Sequence, residues 1–254
     1  MPESAASPQT YSDSQAWLCV APSLVGGCDW SAWLHEGEAL LEELAQQADR
    51  ILGTGRGAAR AVTFTASAAH ADARAANSVT QHPTMEHGVW RINRHGGLLG
   101  GLQADRYLDA SRLQEEVALS AQLRKLGIHT PEVLLAFAQR HGAWWRQHLV
   151  TREVEAAQTV FDARDSAAAL QAAAELLEQL FRVGLWATDL HPGNLLWQAE
   201  TGQCWLIDLA GAELRSEPLS TADRKVRVER FARFFVKHAG REPAGMKSLR
   251  STLL

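Results

Sequence analysis

Residues 189–194 read Asp-Leu-His-Pro-Gly-Asn, which sets a carboxylate and a side-chain amide five positions apart around a Pro-Gly turn. Fourteen residues after Asn194, the apolar run Trp205-Leu206-Ile207 reads as a short strand and ends in a second carboxylate, Asp208. An Asp that can take a hydroxyl proton, with an Asn and a further Asp that can hold divalent cations, is the minimal set for magnesium-dependent phosphoryl transfer from ATP. In that chemistry Asp189 is the base, and Asn194 and Asp208 are the metal ligands. Asp and Asn beside Gly and Pro are also common turn residues. The order of a long helix, then the D-x-x-x-x-N loop, then a ribbon ending in Asp argues for chemistry.

Three further features fit the same reaction. Gly53, Gly55 and Gly57, with Arg56 among them, lie between the strand-like Ile51-Leu52 and Ala61-Val62-Thr63-Phe64. A glycine turn there lets backbone N–H groups approach phosphate oxygens. The pattern is G-x-G-x-G, not the G-x-G-x-x-G of protein kinases, and a plain hairpin reads the same way. Kinases also need a fixed cation on a nearby strand, yet no Lys occurs before Lys125. Arg91, on the strand-like Val89–Ile92, can grip phosphate with its planar fork; a surface arginine is the alternative. Its expected partner is Glu116, on the inward side of a helix with Leu113, Val117 and Ser120. A Glu116–Arg112 pair on the helix surface is the competing reading.

The elements that must position these residues follow from periodicity and stop signals. Residues 34–48 predict an amphipathic helix. Residues 109–126 predict another, with Ser111 as N-cap and Gly127 as terminator. Strands are expected at 133–135 and 149–151, a helix at 166–183, strands at 195–197 and 204–207, and a basic helix at 220–239 opened by Ser220 or Thr221. Residues 65–83 are ambiguous. Strands gather early and helices late, so the fold class is α+β, a small β-rich lobe with a helical lobe. The division is a disordered tail over 1–15, an N-terminal lobe over 16–152 and a catalytic lobe over 153–254.

Composition sets bounds. At 254 residues, 46% apolar and 21% charged, the chain can bury a sizeable core. No stretch has the roughly 20 apolar residues needed to span a bilayer, and residues 1–17 lack the pattern of a secretory signal. Cys19, Cys28 and Cys204 are odd in number and widely spaced, so they read as buried or incidental thiols. The net charge of −4 hides an asymmetry: residues 1–50 are acidic, whereas Arg215, Arg224, Lys225, Arg227, Arg230, Arg233, Lys237, Arg241, Lys247 and Arg250 crowd the C-terminal part. The basic C-terminal region suits an anionic partner such as a phosphorylated lipid surface or nucleic acid, or is a solvated helix face.

From about Gly53 to Arg215 the chain resembles the lipopolysaccharide kinases of Gram-negative bacteria, nearest to the 3-deoxy-D-manno-octulosonic acid (Kdo) kinases. The resemblance is carried by G-R-G at 55–57, V-W-R-x-x-R-x-G-G-L at 89–98, D-R-Y-L at 105–108 and E-x-x-x-x-A-x-L-R-x-L-G at 116–127. It continues through L-V-T-R-E at 149–153, D-L-H-P-G-N-L-L at 189–196 and W-L-I-D at 205–208. It implies a protein-kinase-like two-lobed fold with a reduced helical C-terminal lobe, ATP and Mg²⁺, and phosphorylation of a Kdo hydroxyl on a lipid A precursor. The place implied is the cytoplasmic side of the inner membrane, peripherally bound, with no nucleic acid and no obligatory protein partner. By the same match Asp189 is the base, Asn194 and Asp208 are metal ligands, and Arg91 with Glu116 holds phosphate. Residues 149–153, with Thr151 and Glu153, form the strand-to-linker segment that holds adenine. The sequence departs from the family at Ala187, where a His is usual, at His191-Pro192-Gly193, and at Asp208-Leu209-Ala210-Gly211. The His-Pro-Gly loop is similar to that of aminoglycoside kinases, so a small-molecule kinase is one alternative. A catalytically degenerate nucleotide-binding module is another. With 46 residues after Asp208, a small or lipid-linked acceptor is expected rather than a peptide.

Overall fold

The structure, a computed structural model, describes residues 8–25, 29–48, 51–52, 59–65, 85–93 and 105–254. The glycine turn with Gly53, Gly55, Arg56 and Gly57 lies outside them, as do residues 66–83 and Arg94. The chain is α+β and divides into two units, Met1–Gln114 with Glu132–Glu153 and Glu115–Pro131 with Val154–Leu254.

The first unit is a seven-stranded antiparallel sheet with one long helix. Its strands are β1 (Gln9–Ser12), β2 (Ala16–Val20), β3 (Ile51–Leu52), β4 (Ala59–Thr65), β5 (Met85–Ile92), β6 (Val133–His141) and β7 (Trp144–Arg152), ordered β1-β2-β6-β7-β5-β4-β3. In β6 the run Leu134–Ala138 is buried without alternation, the pattern of a strand covered on both faces. Helix α1 (Trp30–Ala48) packs Trp30, Trp33, Leu41 and Ala45 into one core with Val62, Phe64, Trp90, Phe137 and Val150. It approaches closely because residue 37 is glycine: a Cβ there would stand 2.8 Å from the Phe137 ring. Arg146 pins β7 to α1 through Glu38 at 2.9 Å. Residues 9–12, expected in a disordered tail, form β1 instead. They have little to bury, and what orders them is edge pairing with β2, from Gln9↔Val20 to Ser12↔Trp17.

Helix α2 (Ser111–Lys125) has residues in both units. Ser111, expected as its N-cap, is its first helical residue. Asp109, two residues earlier, satisfies its first N–H, its Oδ1 accepting from the Ser111 backbone N–H at 2.9 Å and hydroxyl at 2.6 Å. Gly127 ends the helix as expected. It adopts φ 77°, and Ile128 N–H donates to the Leu123 carbonyl while Gly127 N–H donates to that of Arg124, the Schellman arrangement.

The second unit is built around helix α3 (Ala167–Arg182), capped by Ser166, whose side chain accepts from Ala169 N–H. Its Leu170, Ala173, Leu177, Leu180 and Phe181 recur at helical spacing and are buried. The three-stranded sheet β11-β10-β8 joins β8 (Ala157–Thr159), β10 (Leu195–Gln198) and β11 (Gln203–Leu206), while β9 (Leu185–Ala187) pairs with β12 (Ala212–Leu214). Helix α4 (Thr221–Ala239) is capped by Ser220, whose hydroxyl oxygen accepts from Asp223 N–H at 3.1 Å. Helix α5 (Met246–Leu253) buries Met246, Leu249 and Leu253 and packs on α3. Between α3 and β9, Gly184 takes φ 82° with its missing Cβ facing the backbone oxygens of Glu217 and Arg215 at 2.5 and 2.7 Å, so only glycine fits that corner.

Candidate active site

The corner at Gly184 sends the chain into β9, and β9 delivers it to the Asp189 loop. Leu190 is buried in the core and anchors the loop, which leaves Asp189 exposed at its outer edge. The next residues close on themselves. His191 Nδ1 accepts from Gly193 N–H at 3.1 Å, and Asn194 N–H donates to the His191 carbonyl at 2.9 Å. The Asn194 side-chain Nδ2 donates back to the Asp189 carbonyl at 3.0 Å. That bond fixes the amide so that its Oδ1 is the atom left to accept a cation. The five-residue spacing seen in the sequence is therefore the span of one closed turn.

Asp208 is brought beside this turn by strand register. β10 and β11 pair from Leu195↔Leu206, and Ile207 N–H adds one more rung by donating to the Asn194 carbonyl at 2.9 Å. The next residue, Asp208, turns into the left-handed region at φ 60°, where its Oδ1 accepts from Ala210 N–H at 3.2 Å. Asp tolerates this conformation better than most side chains because its carboxylate bonds locally. Burial holds the His191 imidazole below its usual pKa, against the opposing pull of the Asp189 and Asp208 carboxylates.

Helix α4 backs the loop with residues that the sequence reading did not single out for the site. Phe234 stacks on His191, ring centres 4.2 Å apart and planes at 13°. Arg227 is buried, lies over the Trp186 ring at 4.1 Å, and donates to the Ala187 carbonyl at 3.0 Å. Arg230 reaches Asp189 itself, with a terminal nitrogen 3.1 Å from Oδ1. The signal was present as R-x-x-R-x-x-x-F, which puts 227, 230 and 234 on one helical face. Which face meets the loop depends on tertiary docking, and the pattern alone does not give it.

The other candidates are placed by their own units. Arg91 is half-buried on β5 opposite Leu149, its guanidinium donating to Asn93 Oδ1 at 2.8 Å. Thr151 stands opposite Val89. Directly opposed residues share a sheet face, so Arg91 and Thr151 lie on the face away from the α1 core that takes Trp90 and Val150. Glu153 continues the strand, its N–H donating to the His87 carbonyl at 2.9 Å. Glu116 is 4% exposed in the second-unit part of α2, while its neighbour Glu115 faces solvent.

Among the described residues no group of three or more His, Cys, Asp and Glu could hold a metal ion. The donors the loop and the strand end could offer are instead the Asp208 carboxylate and the Asn194 amide oxygen. Such a hard, all-oxygen and partly open set fits Mg²⁺, which keeps several waters and shares its remaining positions with phosphate oxygens.

Known proteins resemble this chain over part of its length. The 3-deoxy-D-manno-octulosonic acid kinase of Vibrio vulnificus (strain CMCP6) is 31% identical over 157 residues, covering 56% of this chain and 66% of that relative. The same enzyme of Photobacterium profundum is 28% identical over 159 residues, 59% of this chain and 66% of the relative. That of Xanthomonas euvesicatoria pv. vesicatoria (strain 85-10) is 30% identical over 161 residues, 61% and 64%. The matches thus span just under two thirds of these relatives' own length. Among solved structures, WaaP in complex with acyl carrier protein aligns at a TM-score of 0.39 and 13% identity, over 84% of this chain and 92% of that one. Matched through residues 69–243, more than half of its length, with the Asp189 loop and helix α4 inside the match, this chain belongs to the lipopolysaccharide kinase (Kdo/WaaP) family.

Proposed function

We propose that the chain transfers the γ-phosphoryl group of ATP to a hydroxyl of a Kdo sugar on a lipopolysaccharide precursor. The observation that carries this reading is the closed Asp189–Asn194 turn held one strand rung from Asp208. The acceptor oxygen attacks the γ-phosphorus, the bond to the β–γ bridging oxygen breaks, ADP departs, and the hydroxyl proton passes to the Asp189 carboxylate. Asn194 Oδ1 and Asp208 would hold Mg²⁺, which when bound supplies the positive charge that neutralises the triphosphate. Gly53, Gly55, Arg56 and Gly57 would cradle the phosphates, with Arg91 as their cation and Glu116 as its partner. The backbone of the segment holding Thr151 and Glu153 would take adenine. This scheme entails a protein-kinase-like arrangement of two lobes. The family membership and the sugar acid named for the relatives support Kdo as acceptor.

No helix among the described residues is long and apolar enough to cross a membrane. For access to a lipid-linked sugar we assign peripheral binding to α4, on the cytoplasmic side of the inner membrane. In support, Lys225, Arg233 and Lys237 are exposed along α4 together with Val226 and Val236. A second reading, a small-molecule kinase of the aminoglycoside type, is favoured by the His191 turn and predicts transfer to a free amino sugar.

The test is phosphate transfer from Mg·ATP to Kdo–lipid A. Wild-type protein is expected to raise the phosphate content of the acceptor, and Asp189→Ala to lower turnover by roughly 10³-fold or more with the fold intact. Near wild-type turnover in the variant removes the mechanism. Transfer to an amino sugar but not to the lipid selects the second reading.

A further inference from the structure

We propose that Arg230 recognises the carboxylate of the acceptor sugar acid, and that this recognition withdraws Arg230 from Asp189 so that the base can meet the hydroxyl. The inference rests on the kinase reading above and adds to it a residue that sets acceptor specificity.

Three basic residues of and around α4 are committed to the fold. Arg224 donates to Glu178 at 2.8 Å and to the Leu219 carbonyl at 3.2 Å. Arg227 is buried against Trp186 and bonded to Ala187. Arg215 also lies over Trp186 and pairs with Glu213 and Asp223 at 3.2 and 3.3 Å. Arg230 differs from them. Its side chain is 47% exposed, and its partner among the described contacts is Asp189, itself 57% exposed. The cation therefore sits on one of the two oxygens of the proposed base. Arg230 holds Oδ1, and His191 Nε2 lies 3.9 Å from Oδ2, so both oxygens of Asp189 are flanked by donor groups.

A neutral acceptor has nothing to offer Arg230 in exchange. A sugar acid has: when its hydroxyl lies at Asp189, its own carboxylate is no further away than the width of the same sugar. A guanidinium grips a carboxylate with two parallel N–H bonds, whereas the contact to Asp189 is a single bond. Moving Arg230 from one carboxylate to another conserves the number of ion pairs, and the Asp189 carboxylate it leaves, 57% exposed, stays solvated until it meets the hydroxyl. Selection of an acidic acceptor and exposure of the base then become one event.

Binding of free 3-deoxy-D-manno-octulosonic acid and of its carboxamide to the full chain, measured by calorimetry, tests the proposal. Wild-type protein is expected to bind the acid roughly 10- to 100-fold more tightly than the carboxamide. Arg230→Gln should lose about the same factor for the acid and show little further loss for the carboxamide, with Arg230→Lys in between. In turnover, Arg230→Gln should raise the KM for the acid acceptor and leave that for ATP in place. Equal binding of acid and carboxamide by wild type, undiminished acid binding by Arg230→Gln, or no measurable acid binding overturns the proposal. Carboxylate-dependent binding through Arg230 without phosphate transfer would sustain the recognition and sink the kinase reading. Equal phosphorylation of acid and carboxamide would do the reverse.

Discussion

Asp208 carries both a charge and a backbone conformation, and the two can be separated. At φ 60° it occupies a region that most L-residues avoid, stabilised by its own bond to Ala210 N–H. Asn can keep that geometry and that bond but not the charge. Asp208→Asn is therefore expected to unfold within about 0.5 kcal/mol of wild type while turnover falls roughly 100-fold or more. Asp208→Ala should lose activity to the same degree and about 1 kcal/mol of stability besides. Urea unfolding beside phosphate-transfer rates checks both; a charge-neutral Asn variant that turns over normally would show that the carboxylate is no ligand. At this scale the sequence was legible where the chemistry is local. Asp189 and Asn194 are joined by a turn that their own intervening residues make. Arg230 is 41 positions from the carboxylate it touches, and nothing short of the docking of α4 on the loop announces that meeting.

Elements were legible in proportion to how much each one specifies by itself. Helices α1, α2, α3 and α4 carry long periodic patterns, and Ser166, Ser220 and Gly127 mark their ends. The strands β1, β9 and β12 are three or four residues long and owe their form to partners elsewhere in the chain, which local preference does not encode. The first-unit sheet also buries a charge-forming group that pattern reading passed over. His148 is fully buried on β7, with Nδ1 accepting from Trp90 Nε1–H at 3.2 Å. Burial lowers its pKa from 6.5 to about 4, with Glu38 opposing that shift and Arg146 adding to it. Below pH 6.5 the unfolded chain gains a proton that the folded sheet refuses until about pH 4. The stabilisation is thus complete above 6.5, drains away between 6.5 and 4, and changes no further below that. The loss is on the order of 3 kcal/mol. Gln at this position can still accept from Trp90 but does not titrate. His148→Gln should accordingly be less stable at neutral pH yet lose less than wild type between about pH 7 and about pH 4.5 in urea unfolding; parallel losses would remove His148 as the source.

At the level of the whole molecule, the α+β class could be read directly from the mix of strand-like runs and helix-period stretches, but the expected order of early strands and late helices does not hold: α1 precedes β3, and β8 to β12 lie among the later helices. The partition of charge is equally visible in the sequence, but its meaning changed once α4 was seen in place. Arg227 is consumed inside the second unit, Arg224 by Glu178, and Arg230 by Asp189. What remains for a surface is narrower: Lys225, Arg233 and Lys237, with Val226 and Val236 about half exposed among them. Each cation near an anionic bilayer contributes about 1 kcal/mol, and the valines can enter the headgroup region. The protein is expected to sediment with vesicles rich in anionic lipid at low salt, to be released as ionic strength rises, and to ignore vesicles of neutral lipid. Reversing the three charges together (Lys225→Glu, Arg233→Glu and Lys237→Glu) should weaken vesicle binding by more than roughly 100-fold. None of the three contacts the Asp189 loop among the described bonds, so phosphorylation of a water-soluble sugar acid should persist in the variant while that of a lipid-linked acceptor declines. Unchanged vesicle binding after the reversal would mean that α4 is a solvated face and that the chain meets its acceptor by another surface.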